Sequence, residues 1–297
     1  EGTGLVHIAP GHGMDDYLLG NANGLDVYCP VQGDGTYDST VPEFLQGQLI
    51  WDANPMVCEA LLTNQRLLFQ DQFDHSYPHD WRSKTPVIFR STDQWFIGVD
   101  TPMTGSGNTL RKLAISSIEN DIEFIPNAGQ ARLKGMLQTR PDWCISRQRF
   151  WGVPIPLFIH KETNQLHKDT SKILVNAAKI ISEKNIEGWF DFDKSKLINN
   201  SDEYYLITDT LDVWFDSGVS HISVMQQRGL GDTADLYLEG SDQHRGWFQS
   251  SLITALAIMN KPPYKKVLTH GFVVDAEGQK MSKSQGNVIA PQSIIKS

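Results

Sequence analysis

The sequence is 297 residues long, with 40% hydrophobic and 21% charged residues and a net charge of −9. This is the composition of an ordinary globular protein of about two domains. The negative charge argues against a protein that coats nucleic acid non-specifically. No apolar run reaches the roughly 18 residues of a membrane helix. Cys29, Cys58 and Cys144 lack the spacing of a zinc site or a disulfide framework, so we expect a reducing environment.

The two ends of the sequence favour a fragment. The chain begins at Glu1 without a methionine, shows no signal peptide, and stops within what looks like a helix start at 291–297. We therefore expect a piece cut at both ends.

The first 75 residues predict a mixed α/β segment. Asp15 and Asp16 follow a Pro-Gly-His-Gly turn and stand where a helix begins. A carboxylate there most often caps the helix, and two histidines and two aspartates in ten residues also fit a metal site. A further helix is predicted over 53–64, and Gly33-Asp34-Gly35 predicts a turn.

Residues 76–156 read as a junction between two domains. The pattern predicts strands at 85–90 and 94–98 and a helix at 110–118, followed by a basic stretch with Arg132, Lys134 and Arg140. That stretch fits a solvated helix face or a contact with nucleic acid. Arg147 and Arg149 would share one face of a strand and suit a phosphate or carboxylate.

A polar insert at 157–203 carries one predicted helix, near 171–184. His160 and His167 stand there without any cysteine, so we expect no zinc site.

The most informative segment is 204–297. The sequence predicts a strand or turn at 209–218 with an exposed Trp214, a short buried strand at 236–238, a loop at 239–243, and a helix from Arg245 to Met259. Ligands in open α/β sheets bind just beyond the carboxyl ends of strands, which makes this loop a candidate nucleotide or adenylate site. Its candidate residues are Glu239, Gly240, Asp242, Gln243 and His244.

A second candidate is the polar loop at 278–287. Lys280 and Lys283 stand three residues apart beside Ser282, between glycines that allow movement. Lysine ammonium groups suit phosphate oxygens. His270, in the strand and turn pattern before this loop, either faces the same ligand or caps a strand.

Four motifs in order resemble the class I aminoacyl-tRNA synthetases, and the isoleucine-specific, bacterial-type members in particular. They are residues 1–17, Ser146-Arg-Gln-Arg-x-Trp-Gly152, the pair of segments around Trp214 and Glu239, and Lys280-Met-Ser-Lys-Ser284. The resemblance implies an α/β fold: the C-terminal half of a Rossmann-type nucleotide-binding domain plus part of an inserted mixed α/β editing domain. It assigns 1–75 to the editing domain, 76–156 to the return into the catalytic domain, 157–203 to a second insert and 204–297 to the catalytic domain.

The resemblance also implies roles for individual residues. Lys280, Ser282 and Lys283 would bind ATP, and the two lysines would be catalytic. The aminoacyl-adenylate would contact Glu239, Gly240, Asp242, Gln243, His244, Trp214, Trp247 and His270. Asp16, His7 and Thr3 would line an editing site that hydrolyses misacylated tRNA.

The implied partners are Mg·ATP, L-isoleucine and tRNA(Ile). The resemblance further implies a cytoplasmic monomer that does not bind a membrane, and no zinc site is expected in this chain. The sequence departs from the family in one respect, because it contains no His-x-Gly-His motif. We therefore expect this chain alone to be unable to activate isoleucine. The alternative is a non-catalytic paralogue that binds tRNA or an adenylate.

Overall fold

A computed structural model describes residues 4, 6–80 and 83–296. The chain divides into two compact units, Glu1–Asp93 and Gln94–Ser297. Each unit is described by itself.

Within its described residues, the first unit contains two α-helices, α1 (Met14–Ala22) and α2 (Ile50–Thr63), and a short 3-10 helix at Glu43–Leu45. Helix α1 begins where predicted, and Asp15 and Asp16 lie in its first turn, near the positive end of the helix dipole. Neither carboxylate caps the helix, because Gly13 is the N-cap residue and no side-chain cap hydrogen bond forms. The predicted turn at Gly33-Asp34-Gly35 is also confirmed. Asp34 accepts hydrogen bonds from the Thr36 amide (3.0 Å) and hydroxyl (2.7 Å), and isolated bridges join Val31 to Tyr37 and Thr36 to Leu49.

The second unit holds nine short strands and six α-helices within its described residues, besides shorter 3-10 and π-helical turns. The strands are β1 (Phe96–Ile97), β2 (Glu123–Ile125), β3 (Trp143–Cys144), β4 (Ser146–Arg147), β5 (Phe158–His160), β6 (Tyr204–Leu206), β7 (Thr210–Leu211), β8 (Tyr237–Gly240) and β9 (Lys266–His270). The helices are α3 (Leu110–Asn120), α4 (Ala128–Gln138), α5 (Thr170–Asp191), α6 (Val213–Gly218), α7 (Trp247–Met259) and α8 (Pro291–Ile295).

A parallel three-stranded sheet is the centre of this unit. Its order is β2-β9-β8, and α7 connects β8 to β9, which makes a βαβ unit. Residues 248–256 of helix α7 are all buried, which is the pattern of a helix in the centre of a core. It packs with α3, α4 and the sheet around a core that includes Ile118, Leu133, Phe248, Leu252 and Tyr264. The fold is therefore mixed α/β, as predicted.

The insert forms a small core of its own. Strands β5 and β6 pair antiparallel, and Ile173 of α5 packs with Phe158 and Ile198. The predicted helix is present as α5, although Asn185, at φ 60°, breaks it near its end.

Four local predictions are wrong. The first is the strand at 85–90, where the structure has only an isolated bridge between Pro86 and His79. Residues 213–218 form helix α6, so Trp214 lies on a helix, because the Asp212 carboxylate accepts the Trp214 amide and starts a helical turn. Strand β4 ends at Arg147, which leaves Arg149 outside it. The strand predicted at 236–238 is β8, in which Leu238 and Glu239 are exposed because β8 lies at the edge of the sheet.

Among the described residues, none of the helices combines the length and the apolar character needed to cross a membrane.

Candidate functional site

The carboxyl ends of β8 and β9 lie side by side. In the parallel register, Glu239 faces Thr269 and Gly240 faces His270. Each strand then runs into a segment of candidate residues: β8 continues into a 3-10 helix at Ser241–Arg245, and β9 leads to the lysine loop. Two predicted sets of site residues therefore begin at the carboxyl-terminal end of the sheet, where α/β proteins bind ligands. We call this end of β8 and β9 the edge of the site.

Gly240 permits close packing at this edge. A Cβ atom at this position would lie 2.7 Å from Asp242 Oδ1 and 3.8 Å from His270 Cε1. Asp242 and His270 are thus immediate neighbours of the Gly240 backbone. Glu239, Asp242 and His270 are all exposed, so both carboxylates are accessible to an ammonium group or to hydroxyl groups.

Gln243 connects this edge to the start of α7. Its side-chain amide donates to Asp242 Oδ2 (3.0 Å), and its Oε1 accepts the Trp247 backbone N–H (3.0 Å). The second bond satisfies one of the free N–H groups of the first helical turn. Gln243 therefore fixes the Asp242 carboxylate relative to the helix.

The two candidate tryptophans stand on either side of Gly246. A Cβ atom at Gly246 would lie only 2.7 Å from Cη2 of Trp214, so the indole packs directly on this backbone. Trp247 stacks on Tyr237, with ring centroids 3.8 Å apart, and its Nε1 donates to Ser217 O and Ser220 Oγ, both at 3.0 Å. Trp247 is held rigidly, whereas Trp214 keeps 39% of its surface exposed. Rigid aromatic walls of this kind can limit the size of a bound side chain.

His244 lies in the core below this edge and is only 1% exposed. Its Nδ1 donates to Ser241 O (3.0 Å), and its buried Nε2 has no hydrogen-bond partner among the described residues. Burial, and to a lesser degree the charge of Arg132, lowers the pKa of this imidazole. His244 is therefore neutral at physiological pH, and its contact with an adenylate stays a prediction.

The lysine loop is closed by a pair of side chains, Asp275 and Asn287. Asp275 accepts hydrogen bonds from the amides of Glu277 (3.1 Å) and Gln279 (2.7 Å) and from Asn287 Nδ2 (2.7 Å). Asn287 Oδ1 in turn accepts the Ser282 backbone N–H (2.9 Å). These bonds, the Asn287 amide first, lower the pKa of the Asp275 carboxyl. The loop thus has a defined shape that depends on two residues outside its central motif.

The two lysines of the loop differ in their surroundings. Lys280 Nζ lies 3.6 Å from the centroid of the Phe272 ring, a cation–π contact. Lys283 is exposed, and its ammonium group has no partner among the residues that the structure describes. Ser282 is half-buried, and its hydroxyl accepts the Gln285 amide (3.3 Å). Lys283 is therefore available to a phosphate as it stands, whereas Lys280 would have to leave Phe272.

The predicted editing residues belong to the first unit. Thr3 lies outside the described residues. His7 lines a cavity of about 770 Å³ together with His12, Trp51 and Tyr77. Asp16 lies outside the lining that the described residues form, and its Oδ2 accepts the Ala9 backbone N–H (2.9 Å). The structure therefore connects Asp16 to the chain two residues after His7, but the editing role of both stays a prediction.

Asp212 is a buried carboxylate that the sequence reasoning did not single out. It is 5% exposed, and its Oδ2 accepts the Trp143 indole N–H (2.9 Å) and forms an ion pair with Arg147 (3.0 Å). Arg147 thus has a structural partner. Asp275 and Asn287 were also missed, although an Asp and an Asn close to glycines are a recognisable turn signal.

Within residues 4, 6–80 and 83–296, no three His, Cys, Asp or Glu side chains come together as a metal site.

Residues 26–297 match the family model described as tRNA synthetases class I (I, L, M and V). An isoleucine–tRNA ligase of Acinetobacter baylyi is 54% identical over 298 aligned residues, which cover 100% of this chain and 31% of that protein. An isoleucine–tRNA ligase of Dechloromonas aromatica is 52% identical over 99% of this chain and 32% of that protein.

The chain therefore spans about a third of the length of these curated relatives. A solved LeuRS of Agrobacterium radiobacter, in a ternary complex with tRNA and LeuAMS, is 19% identical with a TM-score of 0.39 over 53% of this chain and 23% of that one. This structural likeness is weak, and the assignment rests on the sequence matches. The chain belongs to the class I tRNA synthetases, the family of the isoleucine, leucine, methionine and valine enzymes.

Proposed function

We propose that the chain acts in the ATP-dependent attachment of L-isoleucine to tRNA(Ile) through an isoleucyl-adenylate. The observation that carries the proposal is the shared edge of β8 and β9, from which the Glu239 segment and the lysine loop both continue. The choice of isoleucine is supported by relatives that are 52–54% identical and are named isoleucine–tRNA ligases. A soluble cytoplasmic monomer is part of the same proposal.

The reaction has two steps. The isoleucine carboxylate attacks the α-phosphate of Mg·ATP, which releases pyrophosphate. A hydroxyl group of the terminal adenosine of the tRNA then attacks the acyl carbon of the adenylate, which releases AMP. Lys283, and Lys280 after leaving Phe272, would stabilise the negative charge that develops on the phosphates. Mg²⁺ enters with ATP as part of the substrate.

The edge residues would hold the adenylate. Glu239 and Asp242 present exposed carboxylates suited to the ammonium group and the ribose hydroxyls, and Gly240 lets the ligand approach the backbone closely. Trp214 and Trp247 would bound the isoleucine side chain. A wall can exclude larger side chains but discriminates poorly against valine, since one missing methylene changes binding by only about 1–3 kcal/mol.

Hydrolytic editing of Val-tRNA(Ile) is the second part of the proposal, and it concerns the first unit. Asp16 would bind the ammonium group of the misattached amino acid, with His7 and Thr3 beside it. The aspartate oxygen that does not bind the Ala9 amide is the group available for this contact.

The test uses full-length protein that contains these residues, because the chain spans about a third of its relatives. Lys283→Ala should lower isoleucine-dependent ATP–pyrophosphate exchange by a factor of about 100 or more, since an interaction with developing charge is lost. Lys265→Ala is the matched control, because Lys265 pairs with Asp235 at the opposite end of β9. Exchange in Lys283→Ala equal to that in Lys265→Ala would remove Lys283 from the reaction, and no exchange in the parent protein would favour the non-catalytic paralogue.

Editing is tested in the same protein. Asp16→Ala should let Val-tRNA(Ile) accumulate while isoleucine activation persists, and Asp15→Ala, its exposed neighbour, is the control. Unchanged deacylation of Val-tRNA(Ile) would remove Asp16 from this role. The isolated 297-residue chain should show no exchange, because it lacks a His-x-Gly-His motif.

A further inference from the structure

Three arginines surround a depression on the second unit that the proposed reaction does not use. The depression has a volume of about 580 Å³ and is lined by Arg132 and Arg140 from the region of α4 and by Arg245 and Gln249 from the start of α7. Neither Glu239 nor Asp242 lines this depression, and no residue of the lysine loop does.

None of the three guanidinium groups forms a hydrogen bond or an ion pair with a carboxylate in the described part of the chain, although the Asp212 carboxylate acts on Arg140 through space. The side chains of Arg132 and Arg245 are exposed and make neither a hydrogen bond nor an ion pair there. No aspartate or glutamate is among the described residues that line the depression. Acidic residues outnumber basic ones, 35 to 26, so this unbalanced cluster departs from the average of the chain.

Arg140 is the most constrained of the three. Its side chain donates one hydrogen bond to Gln249 Oε1 and lies 5.3 Å from the centre of the Trp143 ring. Its Nε is buried and has no partner among the described residues. Burial lowers the pKa of this guanidinium, but arginine stays charged in proteins. Asp212 offsets part of this charge through space, and an anionic ligand in the depression would supply the hydrogen-bond acceptors that the guanidinium lacks.

We propose that this depression, the arginine site, binds phosphate groups. Guanidinium groups present five N–H donors in a planar fork that matches the oxygens of a phosphate in bidentate geometry. The three guanidinium groups carry three positive charges, so a ligand with one carboxylate would leave two of them unbalanced. A ligand with two phosphate groups would balance most of this charge. The phosphates belong either to an RNA backbone or to a free polyphosphate, and both sources have the same chemistry.

The site goes beyond the proposed reaction, because it needs neither the lysine loop nor the adenylate residues. Arg132 and Arg245 are exposed, so both can be replaced without disturbing the core. The experiment uses the 297-residue chain, a short fluorescein-labelled single-stranded RNA followed by anisotropy at several salt concentrations, and inorganic pyrophosphate followed by calorimetry.

The double variant Arg132→Gln/Arg245→Gln should bind RNA about tenfold more weakly or worse. The slope of log K against log salt should fall by roughly 1.4, about 0.7 for each lost phosphate contact on a single strand. The matched control is Lys112→Gln/Lys134→Gln, which removes the same charge from α3 and α4 outside the depression and should stay within about twofold of the parent chain.

The outcomes separate the two sources. Arginine-dependent RNA binding that pyrophosphate does not displace assigns the site to an RNA backbone, and arginine-dependent pyrophosphate binding assigns it to a free polyphosphate. Equal binding of both ligands by the parent chain and the arginine variant would overturn the site. A loss in Lys283→Ala but not in the arginine variant would place the phosphates on the lysine loop and would overturn it too.

Discussion

Replacing Asp212 with alanine should destabilise the second unit by about 3 kcal/mol, because three interactions converge on this carboxylate. The Trp143 indole N–H, in a residue only 5% exposed, would lose its acceptor, which costs about 1–3 kcal/mol. The first turn of α6 would lose its cap, which costs about 0.5–2 kcal/mol. The Arg147 side chain is 38% exposed, so water compensates most of its lost ion pair.

Thermal unfolding followed by circular dichroism measures this effect. For a unit of this size each kcal/mol corresponds to about 2–4 °C, so Asp212→Ala should lower the midpoint by about 6–12 °C. Asp212→Asn keeps one acceptor oxygen and should cost less. Asp235→Ala is the control, because its carboxylate is exposed, and little change is expected. A midpoint within about 2 °C of the parent for Asp212→Ala would refute the reasoning.

Two further predictions concern pH and the lysine loop. His221 is 0% exposed, and burial lowers the pKa of its imidazole below the ordinary 6.5. As the pH falls, the histidine of the unfolded chain is therefore protonated before that of the folded chain. The free energy of unfolding should then decrease as the pH drops below about 6.5. In urea titrations, His221→Leu should therefore reduce the loss of stability between about pH 7.5 and 5.5, and an unchanged loss would contradict this. Asn287→Ala frees the Ser282 amide and removes a hydrogen bond from Asp275, so trypsin should cleave after Lys280 and Lys283 faster than in the parent chain. Mass spectrometry of the fragments measures this, and equal rates would show that the bonds do not hold the loop.

Periodic and local signals in the sequence were sufficient for much of the fold. The helix predicted at 110–118 is α3, and the helix predicted from Arg245 to Met259 is α7. Both predictions succeeded because a long run of apolar residues within one segment indicates a helix without knowledge of its tertiary partners. The turn at Gly33-Asp34-Gly35 could also be predicted locally, because the Asp34 carboxylate accepts its hydrogen bond from the Thr36 amide only two residues later.

Tertiary partners explain what the sequence could not supply. The segment at 213–218 carries β-favouring Val, Trp and Phe, yet it is helical because Asp212 caps it while being held by Trp143, some 69 positions earlier. The exposure of Leu238 depends on β8 being an edge strand, which a local pattern cannot reveal. The adjacency of Gly240 and His270 follows from the register of two strands joined by a whole helix.

The position of β8 at the margin of the sheet has a consequence for handling the purified chain. One side of this strand presents backbone N–H and C=O groups that no strand of the described residues pairs, beside exposed Leu236 and Leu238. Such an unprotected strand is a template for intermolecular β-pairing. Two molecules of the chain would align their β8 strands at high concentration, and a charged residue in place of Leu238 would keep them apart.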